Sequence, residues 1–373
     1  MHILFAGGGT AGHINPALAV AQYIAKKHPH AKISYIGKKG GMEERLVAAA
    51  GFDFYGIDVA GFQRKITLKN IARNISAAEK AVTSSMRSKK LLKTLNPDVV
   101  VGTGGYVSGP VLRQAAKLGI KTAIHEQNAY PGVTTKMLVP LVDTVMLAMV
   151  EAKPRLKLKN APIVTGNPVR EEFLSLSKEK AREELNLQNM PVLLSAGGSL
   201  GAAPINNAVL DLITAKWKDN DILFLHATGK GGYDDFIKEL KNRGVDLNAP
   251  NLIIKDYIDN MGQCMAAADL VIARAGAITL SELSVCGKPS VLIPSPYVSE
   301  NHQYHNAMSL KRAGAAEVIE EKDLSGTMLI KTVENIIHNQ PKLEQMGKNA
   351  KENSIPDACK RIYDEVMRLY TTE

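Results

Sequence analysis

Short runs of β-branched and aliphatic residues recur along the chain, separated by longer stretches whose apolar residues return every three or four positions. In the first half the runs at 2–6, 32–36, 53–57, 98–101, 121–125, 144–147 and 162–164 are predicted strands. Helical spacing fills 17–27, 42–50 and 68–95 between them. The second half repeats the alternation, with strand runs at 192–196, 222–226, 252–254, 270–273, 290–293 and 316–319. Three helical patterns close the chain, the last over 355–370.

Nearly continuous apolar strands that alternate with helices predict parallel sheets covered on both faces. The two halves also open alike. Gly7-Gly8-Gly9-Thr10-Ala11-Gly12 follows the first strand, and Gly197-Gly198-Ser199-Leu200-Gly201-Ala202 follows the first strand of the second half. Each is a glycine-rich turn from strand to helix, where backbone N–H groups and the helix dipole can hold a phosphate. The reading is an α/β protein of two Rossmann-like domains, 1–165 and 166–373, with parallel sheets facing across a cleft. A polar hinge is expected around 166–180, the C-terminal helix packing back on the first domain. Ligands are expected beyond the carboxyl ends of the strands, in that cleft.

A length of 373 residues with 45% apolar content supports two such domains, and the ordinary charged fraction of 22% argues against disorder. The net charge of +9 hides an asymmetry. Residues 1–160 carry 23 Lys/Arg against 9 Asp/Glu, whereas 161–373 carry 23 against 28. The basic half is therefore expected to meet an anionic surface or ligand. Cys264, Cys286 and Cys359 are too few and too scattered for a disulfide framework or thiolate zinc site, which points to a reducing compartment. The first strand runs straight into glycines, without a charged leader or long apolar core, so no secretory signal is expected. The longest apolar stretch, 138–150, is broken by Pro140 and Asp143 and is too short to span a bilayer.

Candidate chemistry gathers at strand ends. The spacing Gly7-x-Gly9-x-x-Gly12 invites a dinucleotide reading, but the second strand ends Ile36-Gly37-Lys38-Lys39, without the carboxylate that holds an NAD ribose, although the lysines would suit an NADP phosphate. His13 follows the turn at a helix N-terminus, where the dipole favours a neutral imidazole able to accept a proton; it equally suits a cap. Residues 102–110, His125-Glu126-Gln127-Asn128 and Thr165-Gly166-Asn167-Pro168-Val169-Arg170 read as polar loops, Arg170 offering a planar fork to a diphosphate. In the second half Glu282 lies within the first turns of a helix after Arg274-Ala275-Gly276, where a carboxylate suits ribose hydroxyls or simply the helix dipole. The polar loop 294–307, rich in amides and imidazoles, suits a sugar. His302 and His305 lack a third zinc ligand, and Asp219-Asn220-Asp221 precedes a strand where a metal-binding pair of aspartates belongs at a strand exit.

These stretches together resemble the MurG family of peripheral membrane glycosyltransferases of bacterial cell-wall synthesis. The resemblance rests on GGGTAGHINPALAVA at 7–21, GTGGYVSGP at 102–110, HEQNAYPG at 125–132, TGNPVR at 165–170, GGSLGA at 197–202, RAGAITLSEL at 274–283 and NHQYHNA at 301–307, in family order. It implies a two-domain GT-B fold and an inverting transfer of N-acetylglucosamine from UDP-N-acetylglucosamine to undecaprenyl-diphosphate-linked muramyl pentapeptide (lipid I), forming lipid II. It implies no cofactor, no bound metal, no nucleic-acid partner and residence on the cytoplasmic face of the cell membrane.

Carried onto this chain, the resemblance gives Ser199 and Arg170 to the diphosphate, Ile258 to the uracil and Glu282 to the ribose. Ala277, Ile278, Thr279, Leu280 and Ser281 would line the nucleotide, and Gln303 and Asn306 would read sugar hydroxyls. Thr10, Ala11, Gly12 and Asn128 would complete the site from the first domain, with His13 as candidate general base. Ala11 departs from the family's usual glycine. Contact with an anionic membrane is expected over 60–93, which holds nine Lys/Arg and one acid, Glu79, interleaved with Phe62, Ile66, Leu68, Ile71 and Ile75. A helix with a solvated basic face reads the same way. The alternatives are another UDP-sugar-dependent lipid glycosyltransferase and a non-catalytic basic membrane-binding module.

Overall fold

The computed structural model describes residues 1–59 and 83–372. Most of the expected basic membrane segment therefore lies outside the described residues. The chain divides into two compact units, Met1–Pro168 with Asp357–Glu373, and Val169–Pro356. Gly166, Asn167 and Pro168 thus belong to the first unit, whose boundary falls three residues beyond the one read from the sequence.

Among the described residues the first unit holds a seven-stranded parallel sheet in the order β3-β2-β1-β4-β5-β6-β7. Its strands are β1 (His2–Gly7), β2 (Lys32–Lys38), β3 (Asp53–Ile57), β4 (Val99–Gly104), β5 (Lys121–Glu126), β6 (Thr144–Leu147) and β7 (Ile163–Val164). All six residues of β1 and of β4 are buried, as expected where helices cover both faces. Alternate residues serve opposite faces. Ile3 and Phe5 pack with Val20 and Ile24 of the Ala11–Lys27 helix, whereas Leu4 and Ala6 pack with Val107, Val111 and Leu112 of the Gly105–Lys117 helix. The C-terminal helix, Ala358–Thr371, adds Ile362, Val366 and Leu369 to the first of these cores. Burying those three side chains contributes roughly 5–8 kcal/mol, enough to hold the last helix on the first unit although the whole of the second unit, Val169–Pro356, intervenes in the chain.

The second unit holds six parallel strands in the order β10-β9-β8-β11-β12-β13. They are β8 (Val192–Ala196), β9 (Leu223–Ala227), β10 (Leu252–Lys255), β11 (Leu270–Ala273), β12 (Ser290–Leu292) and β13 (Ala316–Val318). Leu193, Phe224, Ile272 and Val291 form one core with Ile205, Val209 and Ile213 of the Ala203–Lys216 helix and Leu329, Val333 and Ile336 of the Gly326–Ile337 helix.

Two stretches read as loops are regular structure. Residues 102–104 end β4 and residue 105 opens a helix, so Tyr106 to Pro110 are helical. The polar loop 294–307 is shortened by a helix that starts at His302. The first of these helices opens on glycine and the second on His302-Gln303-Tyr304-His305, in a first turn whose N–H groups have no intrahelical acceptor.

Candidate active site

In each sheet the chain reverses its winding beside the first strand, between β1 and β4 and between β8 and β11. Such switch points leave a crevice at the carboxyl ends of the strands. His13 lies after β1 and the 274–282 segment after β11, so both motif sets fall at switch points.

In the first unit, Thr10 caps the Ala11–Lys27 helix with extended backbone and no side-chain bond to it, and the first turn contains no acid. The amides of His13 and Ile14 donate to Thr10 O. Those of Ala11 and Gly12 have no acceptor among the described residues, so the turn presents free donors at a positive dipole end. Thr10 and Ala11 are exposed and Gly12 and His13 half-buried. Ala11, where the family usually has glycine, is therefore packed against no wall of the fold.

His13 Nδ1 lies 3.1 Å from Gly8 O and 3.3 Å from Thr10 Oγ1. A carbonyl only accepts, so Nδ1 carries the hydrogen and Nε2 keeps its lone pair. No group among the described residues hydrogen-bonds Nε2, which faces the Gly104 Cα, where an added Cβ would stand 3.0 Å away. Burial lowers the His13 pKa, against the opposing pull of Glu126, the Gly8 carbonyl bond and Glu43. The imidazole is accordingly neutral at pH 7, with its acceptor nitrogen uncommitted.

The turn is held by backbone contact. A Cβ on Gly105 would fall 2.2 Å from Gly8 O, so the exits of β1 and β4 touch main chain to main chain. Ser108 Oγ donates to Ala6 O (2.7 Å) and accepts from Gly104 N (3.0 Å), pinning β4 to β1. The second polar cluster lies at the end of β5. Glu126, 3% exposed, accepts four hydrogen bonds: from Asn128 N, Asn128 Nδ2 and Gly132 N at 3.0 Å each, and from Thr135 Oγ1 at 2.5 Å. It thereby orients Asn128. His125 Nε2 donates to Gly166 O (2.9 Å), its Nδ1 accepts from Gln127 Nε2 (3.0 Å), and burial lowers its pKa. That chain of bonds ties the TGNP segment to β5, so His125 and Gln127 are braces and Asn128 is the member of the quartet at the surface.

The second unit repeats the construction. A Cβ on Gly201 would lie 2.0 Å from Thr228 O, and one on Gly229 2.3 Å from Gly201 N, so the exits of β8 and β9 touch. Asn206 Nδ2, on the following helix, donates to Thr228 O (2.8 Å). Ser199 is exposed on this turn beside Leu200, the latter 89% exposed, above a helix start with no acid in its first turn. Arg170 Nη1 pairs with Glu172 at 2.9 Å, Nη2 lies 3.9 Å from Glu282 Oε1, and the guanidinium stacks 4.9 Å from the Phe173 ring centroid. Glu282 is largely buried; burial raises its pKa to about 7, Arg170 pulls it down and Glu172 pushes it up.

After β10, Ile258 is buried while Tyr257 is exposed under Lys230. Ala277 is buried, Ile278, Thr279 and Ser281 half-buried, with Ser281 Oγ donating to Ala277 O. Gln303 Oε1 accepts from Ser295 N (2.9 Å), fixing the segment after β12. Two residues differ from the direct contact expected of them. Leu280 is wholly buried with its amide given to Gly276 O, so it packs beneath the turn. Asn306 is wholly buried and donates Nδ2 to Ala275 O (3.2 Å), bracing the β11 exit from below. Of the two aspartates before β9, Asp219 pairs with Lys216 and Asp221 with His338. Among the described residues no three His, Cys, Asp or Glu side chains gather as a metal centre would need.

Glu43 was not singled out by sequence reasoning, and Glu126 and Ser108 entered it only as members of polar motifs, without the bracing roles they take here. Ser108 carries the one available signal, a hydroxyl four residues after a glycine that ends a strand. Glu43 reads as an ordinary charge in the first turn of a helix.

Residues 3–147 match the glycosyltransferase family 28 N-terminal domain and residues 192–362 its C-terminal domain. The chain is 44% identical over 99% of its length, and 98% of the relative's, to the "UDP-N-acetylglucosamine--N-acetylmuramyl-(pentapeptide) pyrophosphoryl-undecaprenol N-acetylglucosamine transferase" of Acetivibrio thermocellus. The protein of the same name from Ruminiclostridium cellulolyticum is 43% identical over 99% of this chain and 100% of its own. Among solved structures, MurG of Acinetobacter baumannii superposes with a TM-score of 0.80 at 27% identity, covering 98% of this chain and 99% of that one. A UDP-GlcNAc 2-epimerase from Neisseria meningitidis, at 15% identity and a TM-score of 0.67 over 99% and 100% of the two chains, shares the fold. With two switch-point turns of matching construction and relatives aligned along nearly its whole length, the chain belongs to the MurG family of glycosyltransferases.

Proposed function

We propose that this chain transfers N-acetylglucosamine from UDP-N-acetylglucosamine to the muramyl sugar of undecaprenyl-diphosphate-linked muramyl pentapeptide, forming lipid II and UDP. The observation that carries the chemistry is His13, a neutral imidazole at a switch-point turn whose Nδ1–H is tied to Gly8 O and whose Nε2 is uncommitted. The acceptor hydroxyl attacks C1 of the donor sugar as its proton passes to Nε2. The bond from C1 to the diphosphate oxygen breaks, and its electron pair leaves with UDP, so the anomeric centre inverts.

The second unit is the donor half. Ser199 and the amides after Gly201 receive the diphosphate, and Arg170 adds charge where it builds during departure. Glu282 takes the ribose hydroxyls, Ile258 and Ala277 to Ser281 form the nucleotide wall, and Gln303 reads the sugar. Leu280 and Asn306 act from below, by packing and by holding Ala275. The first unit is the acceptor half. The free amides of Ala11 and Gly12 with Thr10 suit the lipid-linked diphosphate, and Asn128, held by Glu126, orients the acceptor sugar.

The same unit is the one proposed to meet anionic lipid on the cytoplasmic face of the membrane. Supporting it is a cavity of about 570 Å³ lined by Ser85, Met86, Lys89, Arg113, Gln114, Lys117 and Leu118, which gathers three cations at one surface. Among those residues no helix is long and apolar enough to cross a membrane. The deciding experiment follows labelled N-acetylglucosamine from UDP onto a short-chain lipid I analogue. His13→Ala should lower kcat at least ~100-fold and leave the UDP-induced rise in Tm unchanged. Absence of product from the wild type would overturn the assignment, and an unchanged kcat in the variant would remove His13.

A further inference from the structure

A buried carboxylate lies directly behind the base's turn. Glu43, in the first turn of the Met42–Ala49 helix, is 1% exposed. Glycines supply the room it occupies. A Cβ on Gly8 would stand 2.2 Å from its Oε1, one on Gly41 2.7 Å from its Oε2, and one on Gly37 2.5 Å from its Cγ. Among the described residues it accepts one hydrogen bond, from Lys38 N (2.8 Å), against the four that Glu126 accepts. Two more buried oxygens, Tyr35 Oη and Thr103 Oγ1, lie under the adjoining Gly7, where a Cβ would meet them at 3.1 and 2.2 Å.

A buried charge with so few donors is unfavourable for the fold unless another charge offsets it. Its carboxylate touches the residue whose carbonyl orients His13 Nδ1–H. We infer that Glu43 is a positioning residue for the transfer: through Gly8 it holds the His13 ring, and its charge stabilises the imidazolium formed when His13 takes the acceptor's proton. The inference rests on the proposed role of His13 as base.

The charged groups that act on His13 are Glu126, from the end of β5, and Glu43, from the Met42–Ala49 helix; both favour its protonated form. Tyr35, from β2, is held neutral by burial and then by Glu43 itself. Glu126 acts on His13 the more strongly of the two, from among its four donors, whereas Glu43 has the single donor Lys38 N and sits against Gly8. At the start of the reaction burial keeps the imidazole neutral, and as the proton arrives the carboxylate behind Gly8 offsets the new charge without movement of the chain.

The test is the pH profile of kcat/KM for the acceptor, together with Tm. Glu43→Gln keeps the shape and the Lys38 contact but removes the charge. Its acid limb should move down by about 0.5–1 pH unit, because His13 becomes less basic, and its plateau should fall roughly tenfold or more. Glu43→Asp keeps the charge one methylene further off, and its limb should move the same way by less. A merely structural role lowers the plateau or Tm without moving the limb, so an unmoved limb in the folded variants overturns the inference. His13→Ala separates the two readings: full activity there removes the base, whereas loss of activity there with an unmoved limb in Glu43→Gln removes only Glu43.

Discussion

Gly198 and Gly201 stand in one turn, both with left-handed backbone, at φ +97° and +77°. Their surroundings differ. A Cβ on Gly198 meets nothing within 4 Å, whereas one on Gly201 would lie 2.0 Å from Thr228 O and 3.0 Å from Thr228 C. Replacing either by alanine incurs the same conformational cost, about 1–2 kcal/mol. For Gly201→Ala the approach falls more than 1 Å short of any normal contact, and the obstacle is main chain, unable to swing aside as a side chain would. Displacing one turn from the other should cost a further ~2–3 kcal/mol, comparable to overpacking a core. Gly201→Ala should thus lose roughly 3–5 kcal/mol and Gly198→Ala 1–2 kcal/mol, a large fraction of a typical domain's stability. Urea unfolding of the two variants measures this directly. The UDP-induced rise in Tm should shrink in Gly201→Ala, since the amides proposed to receive the diphosphate move with the turn. Equal losses, within about 0.5 kcal/mol, would refute the reasoning that the β8 and β9 exits are held by direct backbone contact.

Two other expectations concern charge. The folded protein keeps the Glu282 proton up to about pH 7, while the unfolded chain releases it near 4.5. Between those values the folded state binds more protons, so this group's contribution to stability falls as pH rises, by up to about 3 kcal/mol. Glu282→Gln should flatten that part of the stability–pH curve, gain stability at pH 8 and lose UDP affinity; a curve parallel to wild type would show that the carboxyl does not titrate there. Reversing Lys89, Arg113 and Lys117 to Glu should abolish co-sedimentation with vesicles of anionic lipid at low salt and leave transfer to a water-soluble acceptor analogue intact. Undiminished binding would assign membrane contact elsewhere.

Much of the fold was legible because parallel α/β sheets write their strands as short apolar runs between helices. The runs at 144–147, 192–196 and 270–273 coincide with β6, β8 and β11 residue for residue. The starts of helices at Ala11, Gly105 and His302 were less legible, since their first turns hold glycine, proline or polar residues that local pattern assigns to loops. The glycine motifs announced two matched turns from strand to helix. Their local spacing did not say which residues stand behind them.

Sequence by itself determined the class of fold, the two matched halves, the family and the imidazole at the first turn, because these rest on periodicity and on motifs contiguous in the chain. Tertiary structure alone decided the rest. It assigned the last helix to the first unit through Ile362, Val366 and Leu369, and placed Glu126 among four donors. It turned Leu280 and Asn306 inward, and it set Glu43 behind Gly8, 35 positions away in the chain. Burial, hydrogen-bond partners and close backbone approach are properties of residues distant in sequence, and a one-dimensional pattern carries none of them.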